Sequence, residues 1–489
     1  MSGWMGVSAV SEKLEVVRAV VPTLVLPFAA VSLILNVLAT FVAKLFGVEL
    51  RWEGPKRLIE VLLKPKVILS AILFNLLIAG GYYGLQYCRG FPAPLWYIER
   101  TNLKLIQASP NLTEGRTYPD SVQVWNQIDR LDNSQLKKPA QLQQSWKVKL
   151  PKGIFGAVTL SGRSVFVGTD DGHTYELDQG SGQILRRFYT GTPITPSPVI
   201  WKSRLFIGEG EHTSHHSRIY SFDLKTGQLL GAFQTKGHTE GTPFIAEYLG
   251  VTSLFVSAGS DGIYAIDPLT LQERWHRKLG HVDSDARVSG HLVFIGTGAE
   301  KGYLRKSHQA FALNFLTGQV QWITNLTESN WMPPLLIGNN VCFGTGEIYS
   351  KSHFGQLSCL EQTTGKPQQQ ITTSAPIFGA PLLLGNKVVI ANMNSEVCAY
   401  EWPSTVQKWC RKFKGKRTYA SVTSDEKGNI LYPTAQDGIL ILDRDTGKTL
   451  TSWRPDLQEG VWAKSYSRIE VGPDAYFIAD SVGNVRKLF

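Results

Sequence analysis

The apolar positions divide the chain into two regimes. Two unbroken runs open it, Ala19–Ala43 and Val67–Cys88, and neither contains a charged residue. Each is long enough to cross the hydrocarbon core of a bilayer as a helix. Pro22 and Pro27 sit in the first run and leave an interfacial or re-entrant segment open as its alternative. From residue 145 onward the pattern changes to short strands of four to seven residues, separated by Gly-rich turns. The expectation is an all-β domain over 145–489, preceded by two transmembrane helices.

Basic residues set the orientation of the helices. The short loop 44–66 holds Lys44, Arg51, Lys56, Arg57, Lys64 and Lys66, whereas the N-terminal tail 1–18 has only Lys13 and Arg18. The loop is therefore expected to be cytoplasmic. The β-domain is expected on the far side of an inner membrane, which in a Gram-negative cell is the periplasm. Neither run ends in a small-residue cleavage site, so both read as anchors. Bulky Tyr87 before Cys88 argues against a lipidated cysteine. Residues 89–144 read as a linker. GFPAPLWY is expected to be extended, and PDSVQVWNQIDRL to form a short helix capped by Asp120 or Ser121.

The β-region repeats. A strand followed by D-x-x-T-G or a close variant recurs with anchors at Asp178, Asp223, Asp267, Asn314, Glu361, Glu401 and Asp443, spaced by 40–47 residues. A side-chain oxygen at the anchor can cap backbone N–H groups of a tight turn, while Gly supplies positive φ. Three units place Trp eight residues beyond the anchor: Trp275, Trp322 and Trp409. These read as inter-blade packing. Four short strands per unit make a propeller blade. Seven units are complete, and the last three strands, ending at Phe489, make three quarters of an eighth. Trp146-Lys-Val-Lys-Leu150 matches the outer strands that begin at Trp275 and Trp409. Pairing it with the C-terminal strands would complete an eight-bladed propeller and protect both sheet edges.

The eight units, with D-x-x-T-G and periodic Trp, resemble the pyrroloquinoline-quinone-like repeat family. Its members include quinoprotein dehydrogenases and the non-catalytic BamB-type outer-membrane protein assembly factors. The compact layout is similar to the assembly-factor type, which implies a protein-binding scaffold in the cell envelope with no cofactor. The alternative is a membrane-bound dehydrogenase using pyrroloquinoline quinone and calcium. No adjacent Cys pair and no matched Glu, Asn and Asp set stand out for that role. Two membrane segments in place of a lipoprotein signal depart from the assembly-factor pattern.

The net charge is +10, from 50 Lys+Arg against 40 Asp+Glu. The basic residues form no run interleaved with aromatics, so no nucleic-acid partner is expected. Tight hairpins are expected at Asp171-Gly172, Asp261-Gly262 and Asp437-Gly438. Three longer loops, 208–218, 296–309 and 344–355, lie on the same expected face as the inter-blade connections 237–243 and 280–286. Envelope partners are expected at this rim or at a blade edge. The rim candidates are His215, Lys306, His308, Lys351, His353, His281, Trp331 and Trp462. A zinc or copper site from Glu211, His212, His215 or His216 with His238 is the alternative use of these loops. The Ser-His pairs in the long loops lack the surroundings of a hydrolase. Cys342 and Cys359, like Cys398 and Cys410, fall on neighbouring strands, which leaves disulfides and buried thiols both open.

Overall fold

The computed structural model describes residues 95–107, 113, 115–121, 127–128, 141–210, 216–298, 308–348, 354–415, 418–434, 438–455 and 466–489. The segments 19–43 and 67–88 lie outside these residues. Among the described residues no helix is long and apolar enough to cross a membrane.

Eight four-stranded antiparallel sheets follow one another along the chain. Blade one runs from Thr159–Ser161 to Ile184–Tyr189, and blade two from Val199–Trp201 to Leu229–Gln234. Blade three runs from Phe244–Tyr248 to Glu273–Arg277, and blade four from Arg287–Ser289 to Val320–Asn325. Blade five runs from Leu335–Ile337 to Pro367–Thr373, and blade six from Leu382–Leu384 to Gln407–Lys412. Blade seven runs from Thr423–Ser424 to Thr449–Trp453. Blade eight takes Glu470–Val471, Tyr476–Ala479 and Asn484–Leu488 from the C-terminus. Its fourth strand is Gln144–Lys149, antiparallel to Asn484–Leu488, with Lys149 opposite Asn484. The expected closure is thus present. A two-residue strand, Gln127–Ile128, also joins the first strand of blade six in parallel.

The repeat motifs explain how blades pack. The anchor oxygens cap the turns: Asp267 Oδ1 accepts the Leu269 and Thr270 N–H groups, and Asn314 Oδ1 those of Leu316 and Thr317. Asp178, Asp223 and Asp443 do the same in their own turns. Glu361 and Glu401, one methylene longer, instead bind the Thr364 hydroxyl and the Lys408 ammonium. Each periodic Trp then donates its indole N–H to the carbonyl just after the next blade's anchor. Trp146 reaches Gln179, Trp275 reaches Phe315, Trp322 reaches Gln362 and Trp409 reaches Arg444.

Both open cysteine pairs are bonded. Cys342 and Cys359 face each other across strands of blade five, and Cys398 and Cys410 across strands of blade six.

The 89–144 segment departs from the linker reading. Leu95–Gln107 is a helix, where an extended start was expected. Its Ile98 is fully buried, in a core cluster with Phe188 of blade one. Asn102 accepts the N–H of Tyr189 and donates to its C=O, doing for blade one's outer edge what another strand would do. Further on, Arg116 pairs with Asp178, and Tyr118 is buried beside Glu176 and Arg186. The helix expected after Asp120 and Ser121 falls largely outside the described residues; the Asp120 carboxylate accepts the Lys202 N–H of blade two, and Ser121 bonds Ile200. Residues 95–107 and 115–121 therefore fasten onto blades one and two, because their polar atoms complete backbone groups that those blades leave unpaired.

Candidate site at the channel mouth

One position repeats around the axis. The residue four before each blade's first strand is Phe155, Thr195, Glu240, Asp283, Trp331, Phe378, Tyr419 and Tyr466 for blades one to eight. All but Tyr419 line a cavity of about 430 Å³ at one end of the propeller, and Tyr419 packs between Phe378 and Tyr466. The ring is divided by chemistry. Blades five to eight and blade one supply aromatics, whose neighbouring centroids lie 5.0–6.2 Å apart from Trp331 through to Phe155. Blades two to four supply a hydroxyl and two carboxyl groups.

A second set of side chains, two residues closer to the strands, ties the blades together beneath the mouth. Ala157 N–H donates to Ser197 Oγ (2.9 Å), Ser197 N–H to Thr242 Oγ1 (3.3 Å) and Thr242 N–H to Asp285 Oδ1 (2.7 Å). Across the ring, Ala380 N–H donates to Ser421 Oγ (2.8 Å). Each acceptor sits one blade further on, so backbone groups of the connections are satisfied by the neighbour and the mouth is held in shape.

The acidic side of the mouth is elaborately partnered. Asp283 receives His238 Nε2 on Oδ1 at 2.9 Å and His281 Nε2 on Oδ2 at 2.8 Å. Burial opposes its ionisation, but hydrogen bonds and charge from the two histidines hold the carboxyl well below its usual range. Asp285 is raised by burial despite nearby Arg287. Burial also pulls Arg287 down to about 9, with Asp285 opposing. Arg468, on the wall from blade eight, pairs with Glu470 at 2.9 Å. Below the rim, Glu209 is fully buried with Oε2 on the Thr192 hydroxyl, and burial pushes its carboxyl up to about 8.

The structure redistributes the residues singled out by sequence. Glu211, His212, His215, Lys306, Lys351, His353 and Trp462 lie outside the described residues. His216 is exposed and is not part of the histidine cluster at the mouth. His238 does not stand among solvated loop residues. It is buried, and its partners are Asp283 and His281 from the next connection. Trp331 is buried in the mouth wall, with its indole N–H on Gly346 O. His308 is half-buried, and its ring nitrogen lies near the carboxylates of Glu328 and Glu347. Of the ring, Trp331 was legible as a rim candidate, whereas Glu240, Asp283 and the other aromatics carry no motif of their own. Their signal is positional: one fixed offset before each first strand, visible only once strand starts are known.

The comparisons agree with this architecture. The computationally designed Ika8 protein superposes with a TM-score of 0.55 at 16% identity, covering 70% of this chain and 97% of that one. BamB from Moraxella catarrhalis gives a TM-score of 0.54 at 15% identity, covering 71% of this chain and 99% of that one. At these identities both show the fold alone. Quinohemoprotein alcohol dehydrogenase ADH IIB of Pseudomonas putida is 24% identical over 160 residues, or 30% of this chain. That match spans only 23% of the dehydrogenase. A model of the PQQ-like repeat family described as outer membrane protein assembly factor BamB matches residues 138–324 and 306–454. Together these cover more than half of the sequence, and the chain belongs to that family.

Proposed function

We propose that this protein is a non-enzymatic scaffold of the cell envelope, anchored in the inner membrane by segments 19–43 and 67–88. Its propeller would stand in the periplasm and hold a partner protein at the channel mouth. The observation that carries this reading is the divided ring: an aromatic arc from Trp331 to Phe155 facing Glu240 and Asp283. Aromatic faces and carboxylates together attract a segment carrying basic and apolar side chains. Membership of the assembly-factor family supports a binding role, and two disulfides suit an oxidising compartment.

A photo-crosslinking residue at Met332 or Phe378, in the mouth, tests the proposal against one at Lys225, in a turn at the opposite end. A discrete protein adduct from the mouth positions alone is expected. Equal adducts from both ends, or none from the mouth, would overturn it.

The Pseudomonas match favours one second reading, a quinone-dependent dehydrogenase. The described mouth residues fit that cofactor poorly. Pyrroloquinoline quinone is a tricarboxylate, yet Glu240 and Asp283 place negative charge on the wall. The carboxylates that calcium would need are engaged, Asp283 by two imidazoles and Asp285 by the Thr242 N–H. Reconstitution with the quinone and calcium separates the readings, since saturable binding with dye reduction would sink the scaffold.

A further inference from the structure

The connections entering blades three and four have the same local order, His238-Thr-Glu240 and His281-Val-Asp283. The repeat sets two equivalent histidines one blade apart, and both rings turn toward a single carboxylate. Their centroids are 5.2 Å apart. The side chains of His238, His281 and Asp283 are 4%, 5% and 7% exposed. Asp283 nevertheless borders the open cavity at the mouth.

Backbone pairing holds this group in place. Val282 bridges Gly259 of blade three in antiparallel fashion, and His281 bridges Gly298 of blade four. The connection is thus stapled on both sides. The His238 ring occupies the space above Gly259, where a Cβ would come within 2.5 Å of it. No side chain other than hydrogen leaves room for the imidazole there.

We propose that His238, His281 and Asp283 form a binding site for one divalent transition-metal ion, zinc by preference, open to the channel mouth. Two imidazole nitrogens and one carboxylate oxygen are a ligand set that suits zinc with a further position free. The three donor atoms lie within 4.8 Å of one another. Zinc bonds of about 2.0–2.1 Å place tetrahedral ligands roughly 3.3 Å apart. The present contacts of 2.9 and 2.8 Å are within about half an ångström of that separation. A metal ion takes each Nε2 in its deprotonated form with the remaining ring proton on Nδ1, and any second proton on a ring is released to solvent. The competing structure is a permanent His–Asp–His hydrogen-bond clamp that joins two connections and binds nothing.

The site goes beyond the scaffold reading and stands whether or not a partner occupies the mouth. The test uses the purified full-length chain after chelator treatment, titrated with zinc chloride by calorimetry and with cobalt chloride by visible absorption. One ion per chain is expected, with the intense visible bands of a tetrahedral cobalt site and a melting temperature raised by zinc. His281→Ala should weaken zinc binding by more than about 100-fold, since loss of even a supporting partner can cost 10- to 100-fold. Asp283→Asn, which keeps a polar partner for both rings and guards against misfolding, should lose the cobalt bands while melting as the metal-free wild type does. His216→Ala should bind as wild type. Absence of stoichiometric binding, or binding as strong as wild type in Asp283→Asn or His281→Ala, would overturn the site and leave the clamp.

Discussion

The ring of Trp322 fills the space that a side chain on Gly365 would need. A Cβ there would come within 2.6 Å of the indole, and the glycine holds φ at +71°. Trp146 with Gly182, Trp275 with Gly318 and Trp409 with Gly447 repeat the arrangement. The Gly of D-x-x-T-G thus serves the neighbouring blade as well as its own turn. Gly365→Ala should cost about 2–4 kcal/mol, from left-handed strain plus overpacking. Urea unfolding should show the lower midpoint, and a loss below 0.5 kcal/mol would contradict the packing.

Glu209 makes stability depend on pH. Its carboxyl is pushed up to about 8 by burial, from an ordinary 4.5. The folded chain therefore holds a proton that the unfolded chain has released. The associated stability is complete below about pH 4.5 and is lost as pH rises through about 8. Between pH 6 and 9 the native state should lose about 2–3 kcal/mol from this group. Glu209→Gln, measured by thermal melts at both values, should remove most of that difference.

The two disulfides close loops with sequence separations of 17 and 12. Removing one by a double Cys→Ala substitution should cost about 3 kcal/mol on the loop-entropy scale. Alkylation before reduction should leave Cys342, Cys359, Cys398 and Cys410 unlabelled.

Deleting Asn484–Phe489 removes the partner of Gln144–Lys149 and part of the core around Val165, Phe477 and Val485. The truncated protein should melt well below the intact one and expose blade-eight amides to exchange. An unchanged melting curve would refute the closure.

Asn102→Ala leaves the backbone pair of Tyr189 without its side-chain partner. A local loss of about 1–3 kcal/mol is expected. Faster proteolysis within 95–107 and faster amide exchange at Tyr189 should follow, with the distant blades unaffected.

Most of the fold was legible because a propeller repeats its local chemistry. The anchors Asp178, Asp267 and Asn314 and the Trp spacing recur often enough to define blades without any tertiary information. The match of Trp146 to Trp275 even located the closing strand. The site was less legible. Phe155, Glu240 and Tyr466 share a place in the blade but no residue type, so sequence similarity could not group them. Only geometry brings Asp283 beneath His238, which lies 45 positions earlier. The docked helix was hidden for another reason. Asn102 is an ordinary exposed-type residue until the unpaired edge at Tyr189 gives its amide two partners.

The fastening of residues 95–107 and 115–121 has a mechanical meaning. The strand that completes blade eight is also the first strand of the propeller in the chain. Tension pulling on it from the N-terminal side would peel it from Asn484–Leu488, one hydrogen bond at a time. The helix at Asn102 and the Arg116–Asp178 pair come earlier along the chain and grip blades one and two. A pull from upstream is therefore passed sideways into two whole blades, and the seam at Lys149 and Asn484 is left slack. The segment works as strain relief does on a cable, taking the load before it reaches the joint.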